Sequence, residues 1–515
     1  MRASPRSPGR SGAPPSLVRW WPDMETSQVF ETADAPRTGA DFRRALADGR
    51  SVWVDGKAVD VASHPLFASA VGVVERLLAR HASPEARELL TATGPDGVTR
   101  GRWAVPPRSA QDLRRVGQVS TLFAEETHGM MGRLWDTSGG CLAGLLNVSK
   151  DAEALRPGTQ AVIERAWEDI SRGLLLCNVA FVDPPHGRGL PAHLKNTLRV
   201  VERRADGVVV RGAKALCTGA AYSDELLVLR VGYELPNIDD SAVVGFFVKP
   251  ATPGLRILCR PGLGGAHREG DPLAVDEVDT WLVFEDVFIP HRRLLYAGEK
   301  DVAALVWKAM MTWDKHGFVR RLLTRMELLF GLSFLMSKAL GVGHYPSAQK
   351  VFRDAGRHAA LVARLVAFAE ASPQPAPGSG GAVRPEPLSL QLALQYALEH
   401  LPEVARAVEL LGGQGLVLNP SQADLGSEEV GRHYAEYFGG DTGDPSHRAA
   451  LMGVAAELLG SRSAQRQRLL DYYGTGGDQA LTLQLTEMLD AGRGVRLVRR
   501  LLEQREGDGT RELSS

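Results

Sequence analysis

The chain has 515 residues, which is enough for several domains and a sizeable buried core. Its 60 Lys and Arg residues balance 61 Asp and Glu residues, so no overall field favours nucleic acid or an anionic membrane. The four cysteines lie 36 to 42 residues apart. This spacing is unlike a zinc site, a dithiol redox site or a secreted disulfide framework, and it favours reduced thiols in a cytoplasmic protein.

The N-terminal 35 residues are predicted to be a disordered extension. Residues 1–23 are rich in Pro, Arg, Ser and Gly, and they lack the apolar core of a secretory signal peptide. No later apolar run reaches the ~20 residues that cross a membrane. Met24 is an alternative start site.

Residues 36–174 are predicted to form an N-terminal helical domain. Apolar residues recur at helical spacing in residues 40–46 and 65–81. Residues 109–112 have the form of an N-terminal capping box. The helix that begins there is predicted to continue to about Gly132.

Residues 175–296 are predicted to form an antiparallel β-domain. The Asp206-Gly207 pair lies between two β-branched segments and indicates a hairpin. Turns that contain Pro and Gly separate the further predicted strands, which are residues 225–229, 243–248, 255–259 and 281–288.

Residues 297–503 are predicted to form a C-terminal helical bundle. Its predicted helices are residues 302–339, 388–411 and 448–473. Residues 372–386 are rich in Pro and Gly and predict a flexible loop, and residues 504–515 are predicted to be a disordered tail. The chain is therefore mainly helical with a central antiparallel β-domain.

Several common catalytic and cofactor motifs are absent from the sequence. No GxGxxG follows a predicted strand, so a Rossmann nicotinamide domain is not supported. The sequence also has no P-loop, HExxH or GxSxG motif. Its 13 histidines have no ligand spacing, so no metal site is predicted.

Motifs spread over residues 38–477 resemble the oxygenase components of the 4-hydroxyphenylacetate 3-monooxygenase family. The most informative region is residues 174–224, with a turn at residues 183–188 and a strand that ends at Gly219. The other matching motifs are residues 38–42, 48–53, 61–67, 129–133, 212–214, 287–290 and 412–416. The resemblance implies an acyl-CoA dehydrogenase-like fold, with a helical N-domain, a β-barrel middle domain and a C-terminal helical bundle, usually assembled as a homotetramer.

The resemblance also implies a two-component monooxygenase that uses FADH2 and O2 to hydroxylate an aromatic substrate. FAD is favoured over FMN as the cofactor. Because the chain has no nicotinamide motif, a separate NAD(P)H:flavin reductase must supply the reduced flavin.

The flavin contacts that the resemblance implies fall in three parts of the chain. They are Val179, Ala180, Phe181, Pro185, His186, Gly187, Arg188, Thr218, Ser461, Arg462 and Ser463. The guanidinium of Arg188 suits a pyrophosphate because it donates two charge-assisted hydrogen bonds. The hydroxyl of Thr218 is expected to bond the isoalloxazine edge. The competing interpretations are a surface turn arginine and an ordinary hydroxyl at a strand end.

The substrate pocket is expected to differ from that of relatives that hydroxylate 4-hydroxyphenylacetate. The chain keeps the substrate-binding arginine as Arg133, but Thr137 and Val179 replace a tyrosine and a histidine. Trp135 is expected to make the pocket more apolar, and His128 is a second catalytic candidate beside Arg133. Fewer donors favour a substrate other than 4-hydroxyphenylacetate. The alternatives are a small aromatic acid, a phenol or indole of natural-product biosynthesis, and an acyl group tethered to a carrier protein.

Three other functions compete with the monooxygenase interpretation. Iron–sulfur dehydratases carry cysteines at the positions of Arg133 and Thr137, so the chain lacks those cluster ligands. An acyl-CoA dehydrogenase-like oxidase needs a glutamate base, for which the candidates are Glu399, Glu403 and Glu409. A non-enzymatic scaffold that binds no flavin is the remaining alternative.

Overall fold

Strands that come mostly from the middle of the chain form two β-sheets, and most of the helices precede or follow these strands in sequence. The computed structural model describes residues 37–94, 96–184, 197–231, 238–263, 273, 275–438 and 444–512. From Arg37 onward the chain is one compact unit. The predicted domain boundaries therefore stay predictions.

Seven helices in the described N-terminal part precede the main strands. They are α1 (Gly39–Ala45), α2 (Pro65–Ala82), α3 (Pro84–Leu90), α4 (Ala110–Glu126), α5 (Trp135–Asn147), α6 (Ser149–Leu155) and α7 (Thr159–Gly173). Local signals place their starts, since a Thr38–Asp41 capping box precedes α1 and the Ser109 hydroxyl caps α4.

Helix α4 ends earlier than the sequence predicts. Its last residue is Glu126, whereas the apolar pattern predicts a helix to about Gly132. His128 and Gly129 follow with φ of +51° and +69°, in the left-handed region that ends helices. The chain between α4 and α5 is therefore a loop, residues 127–134, which we call the arginine loop after Arg133.

The described strands form two larger sheets and two small ribbons. They are β1 (Ser51–Val54), β2 (Lys57–Val59), β3 (Thr91–Thr93), β4 (Thr99–Gly101), β5 (Cys177–Ala180), β6 (Arg199–Arg204), β7 (Gly207–Lys214), β8 (Glu225–Val228), β9 (Val244–Val248), β10 (Leu255–Cys259), β11 (Thr280–Pro290), β12 (Leu294–Ala297), β13 (Gln374–Pro375) and β14 (Val383–Arg384). The six-stranded sheet has the order β2-β1-β10-β11-β7-β6, and the four-stranded sheet has the order β12-β9-β8-β5. The predicted hairpin is confirmed, because Arg204 pairs with Gly207 across the turn between β6 and β7.

The sheets differ from the prediction in three respects. In the described residues the two sheets stay separate, so the predicted β-barrel is not closed. The pairs β1–β10 and β5–β8 are parallel, whereas the prediction was antiparallel throughout. Strands β1 and β2 come from a region predicted to be helical, because a pair of strands of three or four residues carries too little periodicity to be recognised.

The described helices of the C-terminal part begin at Lys300. They are α8 (Lys300–Met310), α9 (Asp314–Ala339), α10 (Pro346–Ala371), α11 (Pro387–Gly412), α12 (Gln422–Leu425), α13 (Gly431–Phe438), α14 (Pro445–Gly460), α15 (Arg462–Tyr473), α16 (Gly477–Met488) and α17 (Gly492–Glu512). Helix α17 continues through most of the tail that was predicted to be disordered from residue 504. In the described residues, no helix is long and apolar enough to cross a membrane.

The predicted flexible loop at residues 372–386 is an ordered ribbon. Strands β13 and β14 pair through Gln374 and Arg384. The side chain of Asn147 donates to the carbonyl of Pro377 at 2.7 Å, and its oxygen accepts from Ala382 N at 3.1 Å. This asparagine on α5 satisfies backbone groups that the Pro- and Gly-rich composition could not reveal.

Candidate active site

A buried carboxylate, Glu277, joins the arginine loop to helix α15. Its Oε1 accepts hydrogen bonds from the backbone N–H groups of Gly132 at 2.6 Å and Arg133 at 2.7 Å. Its Oε2 accepts from Nη1 of Arg466 at 2.7 Å. Both oxygens of a fully buried carboxylate are therefore used, one by the loop and one by the helix.

Asp279 extends this junction to Thr218, which lies in the turn after β7, because the strand predicted to end at Gly219 ends at Lys214. The hydroxyl of Thr218 donates to Asp279 Oδ1 at 2.7 Å, and Nε of Arg466 donates to Oδ2 at 2.9 Å. Arg260 donates to the same carboxylate at 3.0 Å. Burial alone would raise the pKa of Asp279, but the hydrogen bonds and charge of Arg466, with Thr218 and Arg260, hold the pKa well below its ordinary value.

Helices α9 and α15 hold the other end of the arginine loop. Arg321 donates to the carbonyl of Gly129 at 3.1 Å and to Asp471 at 2.6 Å. Arg325 donates to the second oxygen of Asp471 at 2.6 Å. A Cβ on Gly129 would lie 2.1 Å from Cγ of Arg325, and the positive φ also favours glycine here.

Arg133 is half-buried, and its guanidinium is unpaired in the described part of the chain. A Cβ built on Gly474 would lie 3.6 Å from its Nη2, so the guanidinium lies beside the end of α15. Its charge also acts on Asp314, the pKa of which is raised by burial against the opposing effect of Arg133. A sheltered cation without a protein hydrogen bond is suited to bind an anion from outside the protein.

Asp136, in the first turn of α5, lies in the same region. Burial raises its pKa to about 6, although the backbone N–H of Thr137, the charge of Arg321 and the hydroxyl of Ser120 oppose the shift. At a pH between 3.8 and about 6, Asp136 therefore keeps a proton in the folded state that it releases in the unfolded state.

At about pH 8 the Asp136→Asn variant is expected to be more stable than the wild type by about 1–2 kcal/mol, after solvent screening. The pKa of Asp136 is raised from 3.8 to about 6 on folding, so its contribution to stability falls as the pH rises through this interval. Urea unfolding of both proteins between about pH 4.5 and pH 8 measures the difference in their free energies of unfolding. A difference that stays constant over this range would contradict the raised pKa of Asp136.

Two residues that were expected in the substrate pocket donate their side-chain hydrogen bonds to backbone carbonyl groups of the protein. Trp135 is 0% exposed, its Nε1 donates to the carbonyl of Leu175 at 3.0 Å, and it packs against the ring of Phe123. This places Trp135 in the core, which differs from the expected pocket wall. The hydroxyl of Thr137 donates to the carbonyl of Gly132 at 2.9 Å and so stabilises the arginine loop.

The predicted flavin residues on β5 and after it are only partly enclosed. Val179 is half-buried and is paired with Leu227 of β8, and Ala180 is buried. Phe181 is half-buried and packs edge-on against Trp307, with ring centroids 5.5 Å apart. Pro185, His186, Gly187 and Arg188 lie outside the described residues.

The remaining predicted flavin residues lie at the start of α15. Ser461 caps this helix by accepting from Ala464 N at 3.0 Å, and Arg462 donates to the carbonyl of Leu263 at 3.0 Å. Ser463 is buried. A Cβ on Gly460 would meet no atom within 4 Å, so open space adjoins this helix N-terminus. Such a terminus and a nearby arginine fit a pyrophosphate group.

The sequence reasoning missed the charged residues that assemble the junction. They are Glu277, Asp279, Arg321, Arg325, Arg466 and Asp471. One signal was present, since three acidic residues at 276–279 directly precede the apolar strand β11. Their arginine partners on α9 and α15 carry no local signal, because each pair joins residues more than a hundred positions apart.

A second polar cluster lies between helices α10 and α11. Ligand atoms of His358, His400 and Glu403 all lie within 4.8 Å of one another. Nε2 of His358 lies 3.2 Å from Glu403, and Nδ1 of His400 lies 3.1 Å from it. However, the two imidazole rings stack at an angle of 15°, so their in-plane lone pairs do not converge on one point. In this geometry the cluster is a hydrogen-bonded group.

The candidate bases for an acyl-CoA dehydrogenase-like reaction lie on the surface of α11. Glu399 is exposed, the side chain of Glu403 is 60% exposed, and that of Glu409 is 44% exposed and paired with Arg406. Their exposure favours the interpretation that these glutamates are ordinary residues of a helix surface and not catalytic bases.

Comparisons with known proteins agree with the fold. The family "4-hydroxyphenylacetate 3-hydroxylase N terminal" matches residues 38–296, and "4-hydroxyphenylacetate 3-hydroxylase C terminal" matches residues 303–503. The chain is 27% identical to the FADH(2)-dependent monooxygenase TftD of Burkholderia cepacia over 85% of this chain and 86% of that protein.

A second relative acts on a substrate attached to a carrier protein. It is the (3S)-3-amino-3-(3-chloro-4-hydroxyphenyl)propanoyl-[peptidyl-carrier protein SgcC2] monooxygenase of Streptomyces globisporus, 27% identical over 90% of this chain and 89% of that protein. Among solved structures, the oxygenase component of 4-hydroxyphenylacetate 3-monooxygenase complexed with FAD and 4-hydroxyphenylacetate superposes with a TM-score of 0.83 at 23% identity, over 92% of this chain and 99% of that one. The predicted fold class is thereby confirmed. The chain belongs to the 4-hydroxyphenylacetate 3-hydroxylase family of FADH2-dependent aromatic monooxygenases.

Proposed function

We propose that this oxygenase binds a phenol-like or heteroaromatic substrate with its anionic oxygen at Arg133. The observation that carries the proposal is the half-buried guanidinium without a hydrogen bond or ion pair in the described residues. A fixed positive charge favours the phenolate over the phenol, which makes the ring carbon beside it more nucleophilic. When bound, reduced FAD supplies the electrons that activate O2.

We propose that the flavin is held between β5 and the start of α15. The half-buried Val179 and Phe181 would form an apolar wall that keeps water from the reacting atoms. The N-terminus of α15, with Ser461, Arg462 and Ser463, would hold the pyrophosphate, together with Arg188 of the Pro-rich turn. Thr218 would meet the flavin edge with an oxygen that accepts, because its proton is donated to Asp279.

The substrate is proposed to depend less on side-chain donors than 4-hydroxyphenylacetate does. The hydroxyl of Thr137 is bonded to the arginine loop, and Val179 offers no polar atom. A substrate attached to a carrier protein suits such a pocket, because the tether supplies effective concentration and orientation. An acidic free phenol is the alternative. His128 follows α4 in a left-handed conformation and stays a candidate that contacts the substrate.

The proposed partners are a separate NAD(P)H:flavin reductase and further copies of this chain in a homotetramer. The tetramer is supported by large apolar side chains that are exposed on the C-terminal helices and in the turn at residues 417–418. Those exposed by more than two-fifths include Phe334, Leu335, Phe368, Leu410, Val417 and Leu418. Apolar exposure of this kind is typical of surfaces that bind another chain.

The purified protein is expected to hydroxylate a phenol when it receives chemically reduced FAD and ¹⁸O₂. The probes are 4-nitrophenol, 2,4,6-trichlorophenol and 4-hydroxyphenylacetate, each as the free compound, and 4-hydroxyphenylacetate also as a carrier-protein thioester. Mass spectrometry should find one labelled oxygen atom in the product. Hydrogen peroxide release at the same rate with and without every probe, and no labelled product, would argue against the proposed function.

A further inference from the structure

The carboxylate of Glu277 determines where the backbone of Arg133 lies. From this arrangement we propose that Glu277, oriented by Arg466, is a positioning residue that directs Arg133 toward the substrate. The inference rests on the proposed function for the role of Arg133, and it adds a residue that makes no substrate contact itself.

Two consecutive N–H groups of the arginine loop converge on one oxygen atom. Gly132 N and Arg133 N lie 2.6 Å and 2.7 Å from Oε1 of Glu277. Consecutive amides that point to one anion form a concave donor site, and hydrogen bonds to a charged acceptor are roughly twice as strong as neutral ones. The peptide that carries Arg133 is therefore fixed in orientation by a residue from before β11.

The second oxygen of Glu277 fixes the orientation of its carboxylate. Nη1 of Arg466 lies 2.7 Å from Oε2, and the rest of that guanidinium is bonded to Asp279. Arg466 is thus anchored on two carboxylates, which leaves the Glu277 side chain one arrangement that satisfies both of its oxygens. Arg466 on α15 therefore orients Glu277, and Glu277 in turn orients the backbone of the arginine loop.

The rest of the arginine loop has supports that do not involve Glu277. Arg321 holds the carbonyl of Gly129, and the Thr137 hydroxyl holds the carbonyl of Gly132. A change at Glu277 should therefore free the N–H groups of Gly132 and Arg133 without unfolding the whole loop. Because Glu277 is 1% exposed, it acts on substrate binding through the residues that it contacts, of which Arg133 is the one proposed to meet the substrate.

The test uses Glu277→Gln, which keeps the shape and one acceptor oxygen but places an amide NH2 against Arg466. The matched control is Glu225→Gln, since Glu225 is also a buried carboxylate paired with one arginine, Arg293, at 2.7 Å. Hydrogen–deuterium exchange should show Gly132 and Arg133 amides that exchange about 10-fold faster in E277Q and unchanged in E225Q.

Binding of 4-nitrophenol provides the second readout, because its phenolate is coloured and its ionisation can be followed by absorbance. In E277Q the Kd for 4-nitrophenol should rise about 10-fold and a smaller fraction should be bound as phenolate, whereas the Kd for reduced FAD stays within about twofold. In the Arg133→Met background, E277Q should have no further effect on 4-nitrophenol binding.

Unchanged amide exchange in E277Q would overturn the inference, and so would an equal loss of 4-nitrophenol affinity with and without Arg133. If E277Q does not fold, Glu277→Met and Arg466→Lys provide the same comparison. Failure of the wild type to bind any phenol would count against the proposed function instead, while amide exchange would still decide whether Glu277 positions the loop.

Discussion

Replacing Arg133 with methionine is expected to lower kcat/KM for a phenolic substrate by about 100- to 1,000-fold. Methionine keeps the length of the side chain but removes the charge that stabilises the phenolate. Because the guanidinium makes no hydrogen bond within the described protein, its loss should cost little stability. Steady-state rates with reduced FAD, scored as hydroxylated product and as hydrogen peroxide, measure the effect, and a shift from product to peroxide is expected.

The control for this variant is Arg80→Met. Arg80 lies on α2, its side chain is 53% exposed, and it is paired with Glu126 on the surface. This change also removes one arginine, but activity should stay unchanged. An R133M protein that hydroxylates phenols at the wild-type rate would remove Arg133 from the reaction. The kcat/KM of Arg133→Lys should lie between those of R133M and the wild type, because lysine keeps the charge but lacks the planar fork.

Replacing Arg466 with methionine is expected to lower the free energy of unfolding by about 3–5 kcal/mol. In the described part of the chain, the variant leaves Glu277 without an arginine partner and Asp279 with Arg260 alone, and both carboxylates are largely buried. Uncompensated buried charge is among the costliest changes in a protein. Urea unfolding at neutral pH measures the loss.

The pH dependence of this variant gives a second, independent check. In the wild type the pKa of Asp279 is lowered on folding, so its contribution to stability is present above the unfolded pKa and disappears as the pH falls through the folded one. The difference in free energy of unfolding between the wild type and R466M should therefore decrease as the pH falls below about 4. The matched control is Arg211→Met, which breaks an exposed pair with Asp286 and should cost about 0–1 kcal/mol. An R466M protein as stable as R211M would show that the junction contributes nothing.

Local chemistry made much of the fold predictable. The hairpin at Asp206-Gly207 and the apolar segments of β8 to β11 depend on neighbours in sequence, so pattern and turn residues suffice to find them. The caps at Thr38 and Ser109 are likewise local. Strands β1 and β2 were missed because they are too short to show a clear periodicity and because β1 joins the sheet through β10, about two hundred residues away.

The candidate site was less predictable for the same reason. Arg133 was identified through a resemblance, but the groups that hold it are not near it in sequence. Glu277 lies 144 residues from Arg133 and 189 from Arg466. Trp135 was expected to make the pocket more apolar, whereas its indole is buried with other rings. Sequence spacing does not reveal which side of a loop a residue faces.

The junction at Glu277 also bears on how the enzyme is made in the cell. Domains generally fold in order as a chain leaves the ribosome. Here the arginine loop is synthesised first, and the α15 residues Arg466 and Asp471, which help to orient it, follow much later in the chain. A nascent chain that stops before residue 466 therefore holds Glu277 and Asp279 without the arginine that orients them, so the backbone of Arg133 takes its final position only after α15 has been synthesised.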